Sequence, residues 1–327
     1  MYDVNPYPNV CVLIVNFCSW KNTIECIESL YNMEYSELTI FIIDNSPDEI
    51  SVNNIVLWAE NKIDVKDTQF PGLMRNEKIP IEYLVINEDD FSLDNLKDLN
   101  IVKAKENNGF AAANNILINK LVGQDKFDFC WLLNNDTVVS EECLHNLINV
   151  ATSDQNEIVG SILYDYNSSS DIIQSIGGFY NPYLGMVRIN KSLDRSPFVD
   201  YPIGASILIS KKFINTVGGM CEDYFLFLEE YDWILRAKEN DFSFSLDLHS
   251  KIYHKGGSTI VSTSKFSDFY GIRSKILFNK KFFKQSLLFF YIFFGFGYIV
   301  NRVRRAQYDR IYMYFKLLRK PLSKYNA

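Results

Sequence analysis

The chain has 327 residues, 47% of them hydrophobic, and carries 33 Lys and Arg against 40 Asp and Glu for a net charge of −7. That length and apolar content exclude a disordered or fibrous chain and suffice for one large α/β domain with a tail. The charge is divided: from residue 265 onward there are 14 Lys and Arg and 2 Asp, while the acidic remainder holds 19 Lys and Arg against 38 Asp and Glu, and no nucleic-acid partner is expected.

Strand and helix signals alternate through the first half. Val10-Cys11-Val12-Leu13-Ile14-Val15-Asn16 reads as a buried strand, and residues 23–31 carry a helical apolar pattern. Leu38-Thr39-Ile40-Phe41-Ile42-Ile43-Asp44 reads as a second strand, followed by the turn signal Asn45-Ser46-Pro47. Strand, helix, strand in that order opens a parallel sheet. Residues 60–100 are irregular and acidic and are expected to form an insertion with one strand near 81–86. A strand at 101–104, the polar turn Asn107-Asn108-Gly109, a helix over 110–122 and a strand over 127–133 follow. The rest reads as a helix at 141–151, a strand at 158–164, and short strands broken by Gly177, Gly178 and Gly185. After these come a strand at 203–209 entering a helix at Ser210, a helix over 225–239, and closing strands at 242–247 and 251–254.

The six cysteines (Cys11, Cys18, Cys26, Cys130, Cys143, Cys221) form no C-x-x-C pair and no Cys/His metal spacing, which predicts reduced thiols. Residues 1–6 lack a basic region followed by an apolar core, so no signal peptide is expected and the chain is placed in the cytoplasm.

No G-x-G-x-x-G, Walker-type glycine loop or G-x-S-x-G occurs, which removes the main signatures of dinucleotide binding, P-loop phosphoryl transfer and serine nucleophiles. What remains is polar chemistry at strand ends. In Trp131-Leu132-Leu133-Asn134-Asn135-Asp136-Thr137 an apolar strand stops at amides, a carboxylate and a hydroxyl, and ligands of open α/β sheets sit at such ends. Asn16, Asp44, Asn107, Asn115 and Asp136 form a set of this kind; each alone could equally be a turn former or helix cap. One carboxylate facing a ribose or base edge and another facing a divalent metal would suit a nucleoside diphosphate. Further along, Glu229, Glu230 and Asp232 fall within one helical turn. Asp232 stands four before Arg236, so it is either half of a helix ion pair or a catalytic group. Glu229 and Glu230 lack such a partner, and crowding of acids raises carboxylate pKa values toward those of a general base. His254 precedes Lys255-Gly256-Gly257-Ser258-Thr259, a loop suited to close over an anion, and a neutral imidazole there can complete an O/N metal sphere with Asp136.

In this order the segments resemble a family 2 inverting glycosyltransferase of the GT-A fold, in particular the bacterial rhamnosyltransferase-like branch, over most of residues 8–280. Val15-Asn16-Phe17 and Ile43-Asp44-Asn45-Ser46 are similar to the family's first two strand ends, Asn107-Asn108-Gly109-Phe110-Ala111 and Asn115 to its nucleotide-binding turn and helix, and Leu133-Asn134-Asn135-Asp136-Thr137 to its D-x-D element. Gly204-Ala205 resembles the segment bordering the donor sugar, and residues 217–236 the acceptor side that ends in the acidic pair. The resemblance implies a mixed Rossmann-like sheet with helices on both faces and a Mg2+ or Mn2+ ion on Asp136 and His254. It implies a nucleotide-sugar donor (dTDP-rhamnose or a UDP-sugar) held by Asn16, Asp44, Asn107, Gly109, Asn115, Asn135 and Gly204, with Glu230 as base beside Glu229. Asn134 stands where the family has the first Asp of D-x-D, and Cys221 where it usually has Asp. Rival readings are a sugar nucleotidyltransferase, whose glycine-rich, Arg-containing N-terminal loop is missing, and a non-catalytic scaffold of the same fold.

Residues 1–264 are expected to form the GT-A domain (1–137 nucleotide-binding, 138–264 acceptor side), and 265–327 a helical tail. Its apolar aromatic run 286–300, bracketed by Lys280, Lys281 and Lys284 and by Arg302, Arg304 and Arg305, reads as an in-plane anchor on the inner face of the cell membrane. The alternatives are a helix packed on the body or in a homodimer interface, and a true span. A membrane site predicts a lipid-linked saccharide acceptor.

Overall fold

The computed structural model describes residues 7–64, 67–153, 156–193, 198–256 and 264–319. The N-terminal segment 1–6, the loop residues 257–259 and the end of the tail at 320–327 lie outside the described residues.

β1 (Val10–Asn16) leads through α1 (Trp20–Tyr31) to β2 (Leu38–Asp44); α2 (Ile50–Ala59), β3 (Tyr83–Asn87), β4 (Leu99–Lys103), α3 (Phe110–Leu121) and β5 (Phe129–Asn134) complete the first half. The second half comprises β6 (Thr137–Val139), α4 (Cys143–Ser153), β7 (Ile158–Asp165), β8 (Ile173–Ser175), the hairpin of β9 (Gly177–Asn181) and β10 (Met186–Asn190), β11 (Ser206–Ser210), α5 (Lys211–Val217), α6 (Glu229–Lys238) and β12 (Ser245–His254). Three helices follow: α7 (Lys265–Phe282), α8 (Leu287–Arg304) and α9 (Tyr308–Arg319).

The main sheet runs β3-β4-β2-β1-β5-β11-β7-β12-β6, with β8 added on β7. β3, β4, β2, β1 and β5 are mutually parallel, and β11 runs antiparallel between β5 and β7. Parallel strands covered on both faces read as continuous apolar runs. Val10, Val12 and Ile14 of β1 accordingly join α1, α2 and α4 in one core, while Cys11 and Leu13 join α3, α5 and α6 in the other. Register decides where the polar ends fall. Asn16 pairs with Asp44, and Val15 with Asn134, so three strands present their polar ends at one level.

Three expectations are corrected. Residues 60–100 are not an insertion: β3 is the outermost strand of the main sheet, pairing Tyr83 with Leu99, and as a half-buried edge strand it carries only a short apolar signal. The helix expected over 225–239 begins at Glu229, because Phe227 and Leu228 both take left-handed backbone angles, with φ of 71°. The carbonyls before them are engaged elsewhere, that of Phe225 by the Phe110 amide at 2.9 Å and that of Leu226 by the Ser274 hydroxyl at 2.7 Å. The two closing strands are one, β12, whose pairing with β7 shifts between Asp247 and Ile252. There the Asp247 carboxylate accepts from the amides of His249 and Ser250 at 2.9 and 3.0 Å, and this local turn looked like a chain break.

In the tail, α7 sends Phe278 into the body core and Ile272 and Ile276 into a smaller core with Phe290, Tyr298, Tyr314 and Leu317 of α8 and α9. Asp268 of α7 accepts from Arg302 at 2.9 Å and Arg310 at 2.5 Å. One side of α8 is therefore packed on protein, while Leu288, Phe289, Ile292, Phe293 and Phe296 are exposed. By length and composition alone the stretch Lys284–Arg304 could also cross a membrane.

Gly109 opens α3 with φ of +93°, and a Cβ on it would lie 2.3 Å from the Phe225 carbonyl oxygen. Gly109→Ala should cost about 3 kcal/mol or more in urea unfolding, since a backbone clash adds to left-handed strain. Gly123→Ala, with φ of +73° and, among the described residues, nothing within 4 Å of the new Cβ, should cost only about 1 kcal/mol. Equal losses would show that the approach to Phe225 is not tight.

Candidate active site

The first corner of the site is a buried polar network across the ends of β2, β1 and β5. The Asp44 carboxylate accepts from Asn16 Nδ2 at 2.5 Å and from the Ser46 hydroxyl at 2.7 Å. Asn16 Oδ1 accepts from the Thr23 hydroxyl at 2.7 Å and Asn135 Nδ2 at 3.3 Å, and Asn135 also donates to Thr23 at 3.0 Å. All of these side chains but Ser46 are buried, and burial raises the Asp44 pKa against the lowering effect of its hydrogen bonds. Asn107 closes the turn before α3, its Oδ1 accepting from the Gly109 amide at 3.1 Å and Asn45 Nδ2 at 3.4 Å.

The second corner joins Asp136, just past β5, to His254 at the end of β12, with Asp136 Oδ1 3.2 Å from His254 Nε2. Gln174 on β8 sets the ring. Its Nε2 donates to the His254 carbonyl at 3.0 Å, so its Oε1, 2.6 Å from Nδ1, must accept the ring proton there. That leaves a lone pair on Nε2 facing a carboxylate oxygen, an arrangement that needs a proton or a cation between them. An octahedral ion with bonds of roughly 2.1 Å sets neighbouring ligands roughly 3.0 Å apart, so the oxygen–nitrogen pair fits a divalent ion. Among the described residues no group of three His, Cys, Asp or Glu side chains converges. A metal here would complete its sphere with water or substrate oxygens. The following residue, Lys255, ties this corner to α1, its amide donating to the Asp136 carbonyl at 3.0 Å and its Nζ lying 2.5 Å from Glu25.

The acid pair is the third corner. α6 begins at Glu229 and Glu230, and a Cβ on Gly204 would rest 3.6 Å from the Glu230 side chain. Asn134 donates its amide to the Ala205 carbonyl at 2.9 Å, which holds this segment to the end of β5. Glu229 is buried and, among the described residues, its Oε2 has no hydrogen-bond partner. Burial, with the neighbouring Glu230 charge second, raises its pKa well above the carboxylate range. Burial also pushes Glu230 up to about 7. Near neutral pH one of two adjacent acids thus keeps its proton while the other exchanges one, as a general base must.

Asp232 and Asn115 are engaged structurally. Asp232 is fully buried, 2.8 Å from Arg236 Nε and 2.6 Å from Lys281 Nζ, and Arg236 also donates to the carbonyls of Val217 and Gly219. Asn115 accepts from the Met220 amide at 2.8 Å and donates to the Met220 carbonyl at 2.9 Å and the Glu222 carboxylate at 3.0 Å. Its amide therefore pins the segment leading to the acid pair. A cavity of about 360 Å³ lies beside α3, lined by Asn45, Glu88, Asp89, Glu106, Asn108 and Glu222 among others. Sequence reasoning missed Thr23, Ser46 and Gln174. Ser46 stood in a recognised turn, Thr23 faced inward on an amphipathic helix, and Gln174 lay in a three-residue strand with no motif.

Residues 73–214 match the family model for glycosyl transferase family 2. The matched stretch contains Asn107, Gly109, Asn115, Asn135, Asp136 and Gly204, and ends before the acid pair and His254. Among solved structures the chain is similar to GalNAc-T7 with UDP, GalNAc and Mn2+, at 12% identity and a TM-score of 0.59 over 88% of this chain and 50% of that one. It is similar to the mannosyltransferase PcManGT from Pyrobaculum calidifontis in complex with GDP-Man and Mn2+, at 10% identity and a TM-score of 0.51 over 82% and 62%. A third similar structure is S. aureus TarS 1-349, at 13% identity and a TM-score of 0.49 over 82% and 64%. The chain thus spans between half and just under two thirds of the length of these proteins. No curated protein matches it in sequence. The likeness to GalNAc-T7 and PcManGT is one of fold, and the mixed sheet flanked by helices is GT-A-like.

Between the ordinary glutamate pKa and about 7 the folded chain keeps a proton on Glu230 that the unfolded chain has released, so stability falls as pH rises through that window. Glu230→Gln removes this contribution. Its unfolding free energy should drop less than that of the native chain between about pH 5 and pH 7, measured by urea titration at each pH; parallel declines would place the raised pKa elsewhere.

Proposed function

We propose that the chain is an inverting glycosyltransferase that moves a sugar from a nucleoside-diphosphate sugar to the hydroxyl of a saccharide acceptor. The observation that carries this is the placement of Glu230, titrating near neutral pH, beside Gly204 on a segment held to the strand end that also leads to Asp136. The family 2 match over residues 73–214 and the GT-A-like sheet support it.

Glu230 takes the proton of the acceptor hydroxyl as its oxygen attacks the anomeric carbon. The bond from that carbon to the diphosphate breaks with its electron pair on the departing oxygen, and a single displacement inverts the configuration. Glu229, holding its own proton, keeps a second negative charge away from the base. Asp136 and His254 would hold a Mg2+ or Mn2+ ion, which when bound supplies positive charge to the departing diphosphate. The Asp44 network orients the nucleoside end. The neighbouring cavity, where Glu88, Asp89, Glu106 and Glu222 outnumber Lys120, favours hydroxyl-bearing groups over phosphate. Asp232 positions α6. The nucleotide sugar is a UDP-sugar or dTDP-rhamnose, and the acceptor is lipid-linked at the cytoplasmic face of the membrane. Support for the acceptor comes from the tail, whose exposed aromatic stripe on α8 is bracketed by exposed Lys284, Arg304 and Arg305.

Glu230→Gln should lower sugar transfer by about 10²–10⁴-fold while leaving nucleotide affinity within about twofold by calorimetry; turnover close to native would remove Glu230 from the role of base. Gln174→Leu frees the ring of His254 to rotate or change tautomer. It should weaken Mn2+ binding by about 10–100-fold, read by paramagnetic resonance of free Mn2+ without substrate turnover. Unchanged affinity would show that His254 does not hold the ion.

A further inference from the structure

The β9–β10 hairpin serves none of the roles above. Its tip rests on α8, where the exposed Tyr183 ring meets exposed Phe289 with centroids 5.9 Å apart, and Phe289 stacks on exposed Phe293 at 6.2 Å. Gly185 makes the approach possible, since a Cβ there would fall 2.6 Å from Phe290 and 3.1 Å from Phe294. Beyond the contact, the tip turns Leu184 and Met186 to solvent, Met186 by 57%, while Val187 and Ile189 are exposed on the opposite face of β10. An exposed hairpin tip gains nothing in water from Tyr183, Leu184 and Met186, and with the adjoining Phe289 and Phe293 of α8 they make a continuous apolar surface of the kind that marks an interaction site. Exposed cations border it: Arg188 and Lys191 on the hairpin side, Lys284 and Arg304 at the ends of α8.

We propose that the hairpin tip and the outer face of α8 form one surface that docks on an anionic lipid bilayer, with Tyr183, Leu184 and Met186 as a second point of insertion beside the helix. The proposal rests on the membrane reading of the tail and names the element that fixes its orientation. Charge selects the occupant. The segment from residue 265 is strongly basic and the body before it acidic, so an anionic surface attracts the face carrying α8 and repels the rest of the chain. Contact through α8 alone would let the whole chain roll about the helix axis on the surface, and a second insertion point beside it stops that rotation. The hairpin root is also fixed to the catalytic helix. Tyr180 of β9 packs on Tyr231, the neighbour of Glu230, with centroids 6.1 Å apart, and its amide donates to Asp200 at 2.8 Å. The two-point contact thereby sets the height of the acid pair above the lipid and presents it to an acceptor carried by a membrane lipid.

The test is flotation of the full chain with vesicles of phosphatidylethanolamine and phosphatidylglycerol, and with pure phosphatidylcholine vesicles. It compares the native chain, the hairpin double variant Leu184→Asp with Met186→Asp, and the helix variant Phe296→Asp. Both variants should bind the anionic vesicles at least about tenfold more weakly with thermal unfolding unchanged, and the native chain should bind phosphatidylcholine more weakly than the anionic mixture. Native-like binding by the hairpin variant with loss by the helix variant overturns the second insertion point while leaving the tail reading intact. If no form floats with either vesicle, both fall. A concentration-dependent dimer of the native chain, abolished by the hairpin variant with lipid binding unaffected, overturns the proposal in favour of self-association.

Discussion

The fully buried carboxylate of Asp232 holds together parts of the chain that lie far apart in sequence. It receives Arg236 from its own helix and Lys281 from α7, and Arg236 reaches on to the carbonyls of Val217 and Gly219. Burying the charge is repaid only because both its oxygens are paired, and removing one partner from such a group costs about 3–5 kcal/mol. α6 is thus held at its first turn on two sides. The positions of Glu229 and Glu230, the desolvation they suffer and the chemistry open to them all depend on this anchoring.

Two physical effects compete at the start of α6. The N-terminus of a helix favours negative charge by about 0.3–1 kcal/mol per group, which would lower the pKa of the first-turn acids. Desolvation acts the other way, and a rise of the Glu230 pKa to about 7 corresponds to roughly 3 kcal/mol between its charged and neutral forms. Burial wins. The left-handed residues Phe227 and Leu228 contribute to that outcome by turning the chain sharply into the helix, so that Glu229 enters the interior at once.

Much of the fold was legible in the sequence where burial is two-sided. β1 and β2 announce themselves as apolar runs that end abruptly in Asn16 and Asp44, and parallel pairing brings those ends level. Asp136 and His254, paired in the sequence reading as metal ligands, lie 3.2 Å apart although 118 residues separate them, a distance that does not by itself test that role. Illegible were the features set by tertiary contacts. Nothing local distinguishes Phe227 and Leu228 from helix formers, because what breaks the helix there is the use of the Phe225 and Leu226 carbonyls by α3 and α7. Asn115 has the composition of a ligand-binding amide and is engaged by a loop a hundred residues away. Gln174 has no signature at all, since its partner depends on how a three-residue strand pairs with β7.

The orientation of His254 has a thermodynamic corollary. With one ring proton committed to Gln174, an unprotonated His254 Nε2 and Asp136 Oδ1 face each other as electron-pair donors. A phosphate oxygen brought there alone meets like polarity on both sides, and it becomes welcome only with a counter-charge between. If the corner takes a divalent cation and a nucleoside diphosphate together, as proposed, linkage makes the gain reciprocal: whatever factor the cation adds to the affinity for the diphosphate, the diphosphate returns to the affinity for the cation.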